Sequence, residues 1–149
     1  MIAVALSAVL LALSAAPTSA QGTSVDGIAA SPALDLAYAQ VEFVKVQLQP
    51  SGAWSFEVAV RHDDQGWDHY ADLWQVVDPS GSVLGERVLL HLHETEQPFT
   101  RGLSGVVSPT GVHRVVVRAR CNVHGFGGRE VTVDLMLPAG ERYQVVGGT

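Results

Sequence analysis

Histidine is the residue type in this chain with the clearest potential for chemistry, and five of the six histidines follow or end predicted strands. These five are His62, His69, His91, His93 and His124. Imidazole nitrogen is a common ligand of zinc and copper in proteins. We therefore predict that these histidines supply a site for one transition metal ion, Cu or Zn.

The pair His91 and His93 is separated by one residue. Side chains at positions i and i+2 of a β-strand point to the same face. If a strand continues through residue 93, the pair can therefore bind one ion together. A third ligand would then come from His62, His69 or His124.

Three other side chains near these histidines have two interpretations each. Cys121 could supply a thiolate, but it alternates in step with Val117 and Ala119, which favours a small buried hydrophobic residue. The carboxylates of Asp63 and Asp68 could bind the ion or orient a ligand imidazole. They could equally stabilise turns by accepting hydrogen bonds from backbone amides.

Aromatic residues accompany the histidines in the same loops. Trp67, Tyr70 and Phe126 predict a platform for a sugar or peptide ring. The alternative is that they pack over the open end of the core.

The elements that must position these residues are strands. Seven segments show apolar residues at every second position or are rich in β-branched and aromatic residues, and turn sequences such as Asp78-Pro-Ser-Gly81 separate them. The segments are 41–49, 54–61, 70–77, 83–93, 100–107, 113–120 and 130–137. No segment has the pattern of an amphipathic helix. We predict an antiparallel β-sandwich of the immunoglobulin or fibronectin type III kind with about seven strands; a jelly roll or small barrel is the alternative.

Short turns reverse the chain, so consecutive strands run up and down. This arrangement places the five histidines at one end of the sandwich, which we call the histidine rim. The sixth histidine, His113, is placed at the opposite end.

The first twenty residues resemble a signal peptide, because Ile2–Ala16 is uncharged and apolar and Thr18-Ser-Ala20 offers small residues for cleavage. The apolar run is short for a membrane-spanning helix. We expect residues 21–38 to be a flexible lead-in and residues 39–149 to form a single β-sandwich domain. The expected location is the periplasm or the medium.

The net charge of −6 argues against nucleic acid and anionic membrane surfaces as partners. A single cysteine allows no intramolecular disulfide. The glycines of His124-Gly-Phe-Gly-Gly128 precede no helix, which argues against a nucleotide phosphate loop.

Three segments carry a resemblance to a small family of exported bacterial β-sandwich proteins without an assigned activity: 62–74, 91–101 and 123–128. The resemblance covers about residues 54–136 and implies export. It also implies that relatives carry Pro at the position of Leu92 and Asp at that of Cys121, which makes Cys121 less credible as a ligand.

The leading functional hypothesis is therefore an exported binding or carrier protein with a metal site on the histidine rim. A protein- or carbohydrate-binding module of the adhesion type, using the aromatic residues, is the alternative. A zinc hydrolase or lyase is a second alternative, and it would need an open coordination position for an activated water.

Overall fold

The computed structural model describes residues 33–147. The predicted signal peptide, residues 21–32 of the predicted lead-in and residues 148–149 lie outside the described residues. Between residues 33 and 147, no helix is long and apolar enough to cross a membrane.

The described chain is a sandwich of two five-stranded sheets, which confirms the predicted fold class. The strands are β1 Gln40–Leu48, β2 Trp54–Arg61, β3 Ala71–Val77, β4 Val83–Val88, β5 Phe99–Val106, β6 Arg114–Cys121, β7 Gly125–Phe126, β8 Val131–Asp134, β9 Ala139–Gly140 and β10 Tyr143–Val146. The first sheet has the order β5-β2-β1-β10-β9. The second has the order β4-β3-β6-β7, and β8 also pairs with β6.

Each of the seven predicted segments contains a strand, and three further short strands appear. The most consequential is β10, which pairs in parallel with β1 through Val44 and Tyr143. This segment is only four residues long, and it places Tyr143 and Val145 in the core. All other strand pairings are antiparallel.

The core forms where the inward faces of the two sheets meet. Alternate residues of β1, β2 and β6 are fully buried, as the period of two requires. Trp74 has no exposed surface, and Trp54 packs against the core while remaining partly exposed. Each large apolar side chain buried in this way contributes about 1.5–3 kcal/mol to folding.

The prediction of one strand from residue 83 to residue 93 is wrong, because β4 ends at Val88. After Leu89, whose N–H donates to Asp72 O, the chain leaves the second sheet to reach β5 in the first. His91 and His93 therefore lie in a crossover and not on one face of a strand. His91 is exposed, whereas His93 is buried.

The strand ends that were predicted to lie at one end of the sandwich are neighbours there. Ala71 at the start of β3 pairs with Cys121 at the end of β6. Val60 near the end of β2 pairs with Phe99 at the start of β5. The loops that leave these positions therefore form one end of the sandwich, the histidine rim.

Candidate metal centre

Three potential ligands converge on the histidine rim: His62, His69 and Cys121. One ligand atom from each lies within 4.8 Å of the other two. They come from the end of β2, the loop before β3 and the last residue of β6. The antiparallel pairing of β3 with β6 is what brings residues separated by more than fifty positions together.

His62 continues the inward face of β2 past the end of the strand. Its side chain follows Val58 and Val60 in the period-two alternation and is fully buried. The ring nitrogen Nδ1 lies 2.6 Å from Asp64 Oδ1, and Nε2 lies 3.2 Å from the carbonyl oxygen of Ala37. Both nitrogens therefore face oxygen acceptors, and an ion bound at Nε2 would replace the Ala37 contact.

His69 is held at the end of a tight turn. Gln65 N–H donates to its carbonyl, and its own N–H donates to Gly66 O. The ring packs edge-on against His62, with ring centroids 4.8 Å apart. Its Nε2 is buried and has no hydrogen-bonding partner among the described residues. A buried polar atom without a partner is costly, and a bound metal ion would satisfy it.

Cys121 is fully buried on the inward face of β6. The predicted inward orientation is therefore confirmed, and the same orientation directs the thiol toward the two imidazoles. Its Sγ lies 3.7 Å from His124 Nδ1 and 3.8 Å from Asn122 Oδ1.

His124 lies on the solvent side of these three residues. It is exposed, and its ring centroid lies 4.9 Å from that of His69 and 5.5 Å from that of Tyr38. It does not belong to the set within 4.8 Å. Its Nδ1 lies 3.7 Å from Cys121 Sγ, which makes it the nearest further histidine to the three converging ligands.

The donor set of His62, His69 and Cys121 fits a transition metal ion. Two imidazole nitrogens and a thiolate sulfur suit zinc and copper. Ligand atoms around one such ion lie about 3.5 Å apart when each bond is about 2.0–2.3 Å. Side-chain movements of about 1 Å would therefore complete the coordination.

Asp64 supports this centre from behind His62. Its carboxylate accepts hydrogen bonds from His62 Nδ1, from Ala71 N at 3.0 Å and from His93 N at 2.8 Å. Burial alone would raise the pKa of Asp64. These hydrogen bonds outweigh that effect and hold the pKa below its usual value.

The two histidines of the crossover lie apart from the candidate metal centre. The rings of His91 and His93 are neighbours, with centroids 4.9 Å apart. His93 stacks on Phe99 at 3.7 Å, and neither of its ring nitrogens has a partner among the described residues. Burial is the largest cause of its lowered pKa, and electrostatic interactions with Arg101 and His91 add to the effect. Asp64 and Glu96 oppose it.

The predicted carboxylates lie on the outside of the loop. Asp63 is exposed and accepts a hydrogen bond from Gln65 Nε2 at 2.9 Å. Asp68 is exposed as well. Neither belongs to the set of converging ligand atoms found among residues 33–147.

The three residues of the predicted aromatic platform do not form one surface. Trp67 is 62% exposed and packs edge-on against Tyr70, with centroids 5.6 Å apart. Phe126 instead lies under the guanidinium of Arg118, at 4.2 Å. Trp67 and the half-buried Tyr70 therefore form an aromatic pair at this end.

Two residues that hold the site, Asp64 and Gln97, were not among the predicted site residues. Gln97 accepts a hydrogen bond from His62 N and donates one to His93 O. The period-two alternation of β2 continues past the end of the strand and could have identified Asp64 as an inward-pointing residue. His62 and Asp64 are buried, whereas Asp63 between them is exposed. No local pattern distinguishes Gln97.

No family model matches the chain. A protein of Halomicrobium mukohataei named "Putative lipoprotein" is 46% identical over 101 residues, which are 68% of this chain and 49% of that protein. The chain thus spans about half the length of this curated relative. Among solved structures, the superoxide reductase (1Fe-SOR) from Giardia intestinalis aligns with a TM-score of 0.39 and 15% identity, over 64% of this chain and 99% of that one. The chain is therefore similar in sequence to a protein named as a lipoprotein, and no family is assigned to it.

Proposed function

We propose that this chain is an exported β-sandwich protein that binds one divalent transition metal ion through His62, His69 and Cys121. The observation that carries the proposal is the convergence of these three ligand atoms within 4.8 Å, with the buried Nε2 of His69 lacking any partner among the described residues. Zinc and copper(II) are the ions that this donor set suits best.

The proposed role is binding or carriage of the ion rather than catalysis. Two imidazoles, a thiolate and the adjacent His124 form a nearly complete ligand shell for a four-coordinate ion. A pocket of about 440 Å³ lined by Pro79 and His113 lies at the opposite end of the sandwich, and one of about 480 Å³ is lined by Glu42 and Arg61. Neither is lined by His62, His69 or Cys121, whereas a zinc hydrolase would need its cleft beside the ion.

Export is supported by the apolar first twenty residues and by the name of the Halomicrobium relative. Expression of the full chain should give a mature protein that begins near Gln21 and is found outside the cytoplasm. Mass spectrometry of the isolated protein and fractionation of the cells measure both properties.

Metal binding is tested on protein purified without a His-tag. Elemental analysis and titration with Zn²⁺, Cu²⁺, Co²⁺ and Fe²⁺ should show uptake of one ion per chain. His62→Ala, His69→Ala and Cys121→Ala should each abolish tight binding, because each removes one of three ligands.

The matched control is His113→Ala, which removes an exposed histidine from the other end of the sandwich. It lies just before β6, so extended chain separates it from Cys121 by about 26 Å. It should bind like the wild type. Absence of stoichiometric uptake, or equal uptake by the ligand variants and the wild type, would refute the proposed function.

A second candidate function is binding of a protein or glycan partner through Trp67 and Tyr70. The observation in its favour is the 62% exposure of Trp67, a large aromatic side chain held in place by a neighbouring ring. Trp67→Ala should then abolish partner capture in a glycan-array or pull-down assay while metal binding is retained.

A further inference from the structure

The carboxylate of Asp64 is fully buried, yet it is saturated with hydrogen bonds. Its Oδ1 accepts from His62 Nδ1 and Ala71 N, and its Oδ2 accepts from His93 N. Ala71 N and His93 N are backbone N–H groups that can only donate, so both oxygens of the carboxylate accept, and an ionised Asp64 then requires the proton of the third contact to be on His62 Nδ1. Asp64 therefore places a fixed negative charge directly behind His62.

His62 is also held by its backbone. Its N–H donates to Gln97 Oε1 at 3.0 Å, and Gln97 Nε2 donates to His93 O at 2.9 Å. Because His93 N–H donates to Asp64, the contacts close into a ring of residues that joins the β2–β3 loop to the crossover. The position of the His62 ring is therefore determined before any ion binds.

The hydrogen bond to Asp64 determines which nitrogen of His62 can serve as a ligand. With its proton on Nδ1, the ring offers only the lone pair of Nε2, and an ion bound there displaces the Ala37 carbonyl oxygen that lies 3.2 Å from this nitrogen. A carboxylate in this position also makes the imidazole a stronger donor to a metal ion.

The negative charge of Asp64 also affects whether the site favours a divalent or a monovalent ion. A divalent ion bound by the Cys121 thiolate and two neutral imidazoles leaves one positive charge, which Asp64 cancels. A monovalent ion such as Cu⁺ would leave one net negative charge in a buried site. Buried net charge is costly, so the neutral combination is favoured.

We propose that Asp64 is a positioning residue that fixes His62 for coordination through Nε2 and gives the site its preference for a divalent over a monovalent ion. This inference rests on the proposed function, because it requires that His62, His69 and Cys121 bind a metal.

The test compares Asp64→Asn with Asp63→Asn, which removes the adjacent exposed carboxylate. Affinities for Zn²⁺ and for Cu⁺, the latter without oxygen, are measured by chelator competition in both variants and the wild type. Asp64→Asn should lower Zn²⁺ affinity about 10–100-fold. Its Cu⁺ affinity should fall by a smaller factor. The substitution also removes the excess negative charge that disfavours Cu⁺ in the wild type. Asp63→Asn should match the wild type for both ions.

The outcomes separate the two proposals. A wild type that takes up neither ion rejects the proposed function and this inference with it. Wild-type binding with unchanged Zn²⁺ affinity in Asp64→Asn rejects this inference alone. An equal loss for both ions also rejects it, because a merely structural effect would reduce both affinities alike.

A second measurement needs no substitution and applies even if Asp64→Asn fails to fold. ¹⁵N NMR of histidine-labelled, Zn²⁺-loaded wild type reports the state of each ring nitrogen. His62 should retain its proton on Nδ1 and bind Zn²⁺ through Nε2. Coordination through Nδ1 would overturn the inference.

Discussion

The Nδ1 atom of His62 lies 2.6 Å from Oδ1 of Asp64, and both side chains are completely buried. The pair connects the last inward position of the β2 segment to the crossover that precedes β5, through the hydrogen bond from His93 N. Removing one partner of such a buried pair leaves the polar groups of the other without their hydrogen bonds, which is costly.

The first prediction concerns removal of the buried carboxylate. Asp64→Ala leaves His62 Nδ1, Ala71 N and His93 N without their acceptor in a buried environment. We expect the free energy of unfolding to fall by about 3–5 kcal/mol. Urea unfolding measures it. The exposed neighbour is the control, since Asp63→Ala should cost about 0.5 kcal/mol or less.

The second prediction separates the packing role of Cys121 from its role as a ligand. Cys121→Ala keeps a small apolar side chain on the inward face of β6, so we expect a loss of only about 1 kcal/mol in stability. Binding of Co²⁺ should nevertheless lose the sulfur-to-cobalt charge-transfer absorption. Persistence of that absorption in the variant would show that Cys121 is not a ligand.

The third prediction is a pH dependence that arises from His93. Burial, Arg101 and His91 lower its pKa from the usual value of 6.5, against the opposing effects of Asp64 and Glu96. A lowered pKa means that the unfolded chain binds the proton more tightly than the folded chain. The contribution of His93 to the free energy of unfolding is therefore complete above about pH 6.5. It is lost as the pH falls through the pKa of His93 in the folded protein.

Urea unfolding of metal-free protein at about pH 7.5 and pH 5 tests this dependence. His93→Gln should reduce the loss of stability between the two pH values. The exposed His113→Gln should leave that loss unchanged. A wild-type pH dependence in His93→Gln would contradict the prediction.

The fourth prediction concerns Trp67. Because its side chain is 62% exposed and contacts mainly Tyr70, Trp67→Ala should change the free energy of unfolding by about 1 kcal/mol or less. The number of metal ions bound should stay the same. Thermal unfolding and elemental analysis measure the two quantities. A loss of metal from this variant would show that Trp67 shapes the loop that carries His69.

The fifth prediction concerns close backbone packing at Gly128. A Cβ atom on this residue would overlap the carbonyl oxygen of Ala39. Because backbone must move, Gly128→Ala should cost about 1–3 kcal/mol or more. Gly102 is the matched control, since a Cβ there would meet Phe56 O at an ordinary 3.6 Å. Gly102→Ala should therefore be tolerated, as thermal unfolding would show.

The sequence by itself determined the strands and the direction of side chains along them. Alternation of apolar residues in β2 and β6 predicted that His62 and Cys121 point inward, and both are buried. This information is local, because the pleat of a strand sends successive side chains to opposite faces. The sandwich and the shared end of its loops followed from the same pattern and from short turns.

The tertiary structure alone decided which residues meet. The crossover between sheets ends β4 at Val88 and separates His91 and His93 from the candidate metal centre. The pairing of Ala71 with Cys121 brings the thiol to His69. Nothing local distinguishes Asp64 from Asp63 except parity, and of its three donors His62 is near in sequence whereas His93 comes from the distant crossover. A strand pattern determines direction, but distances between strands depend on sheet order and register, which only the folded chain fixes.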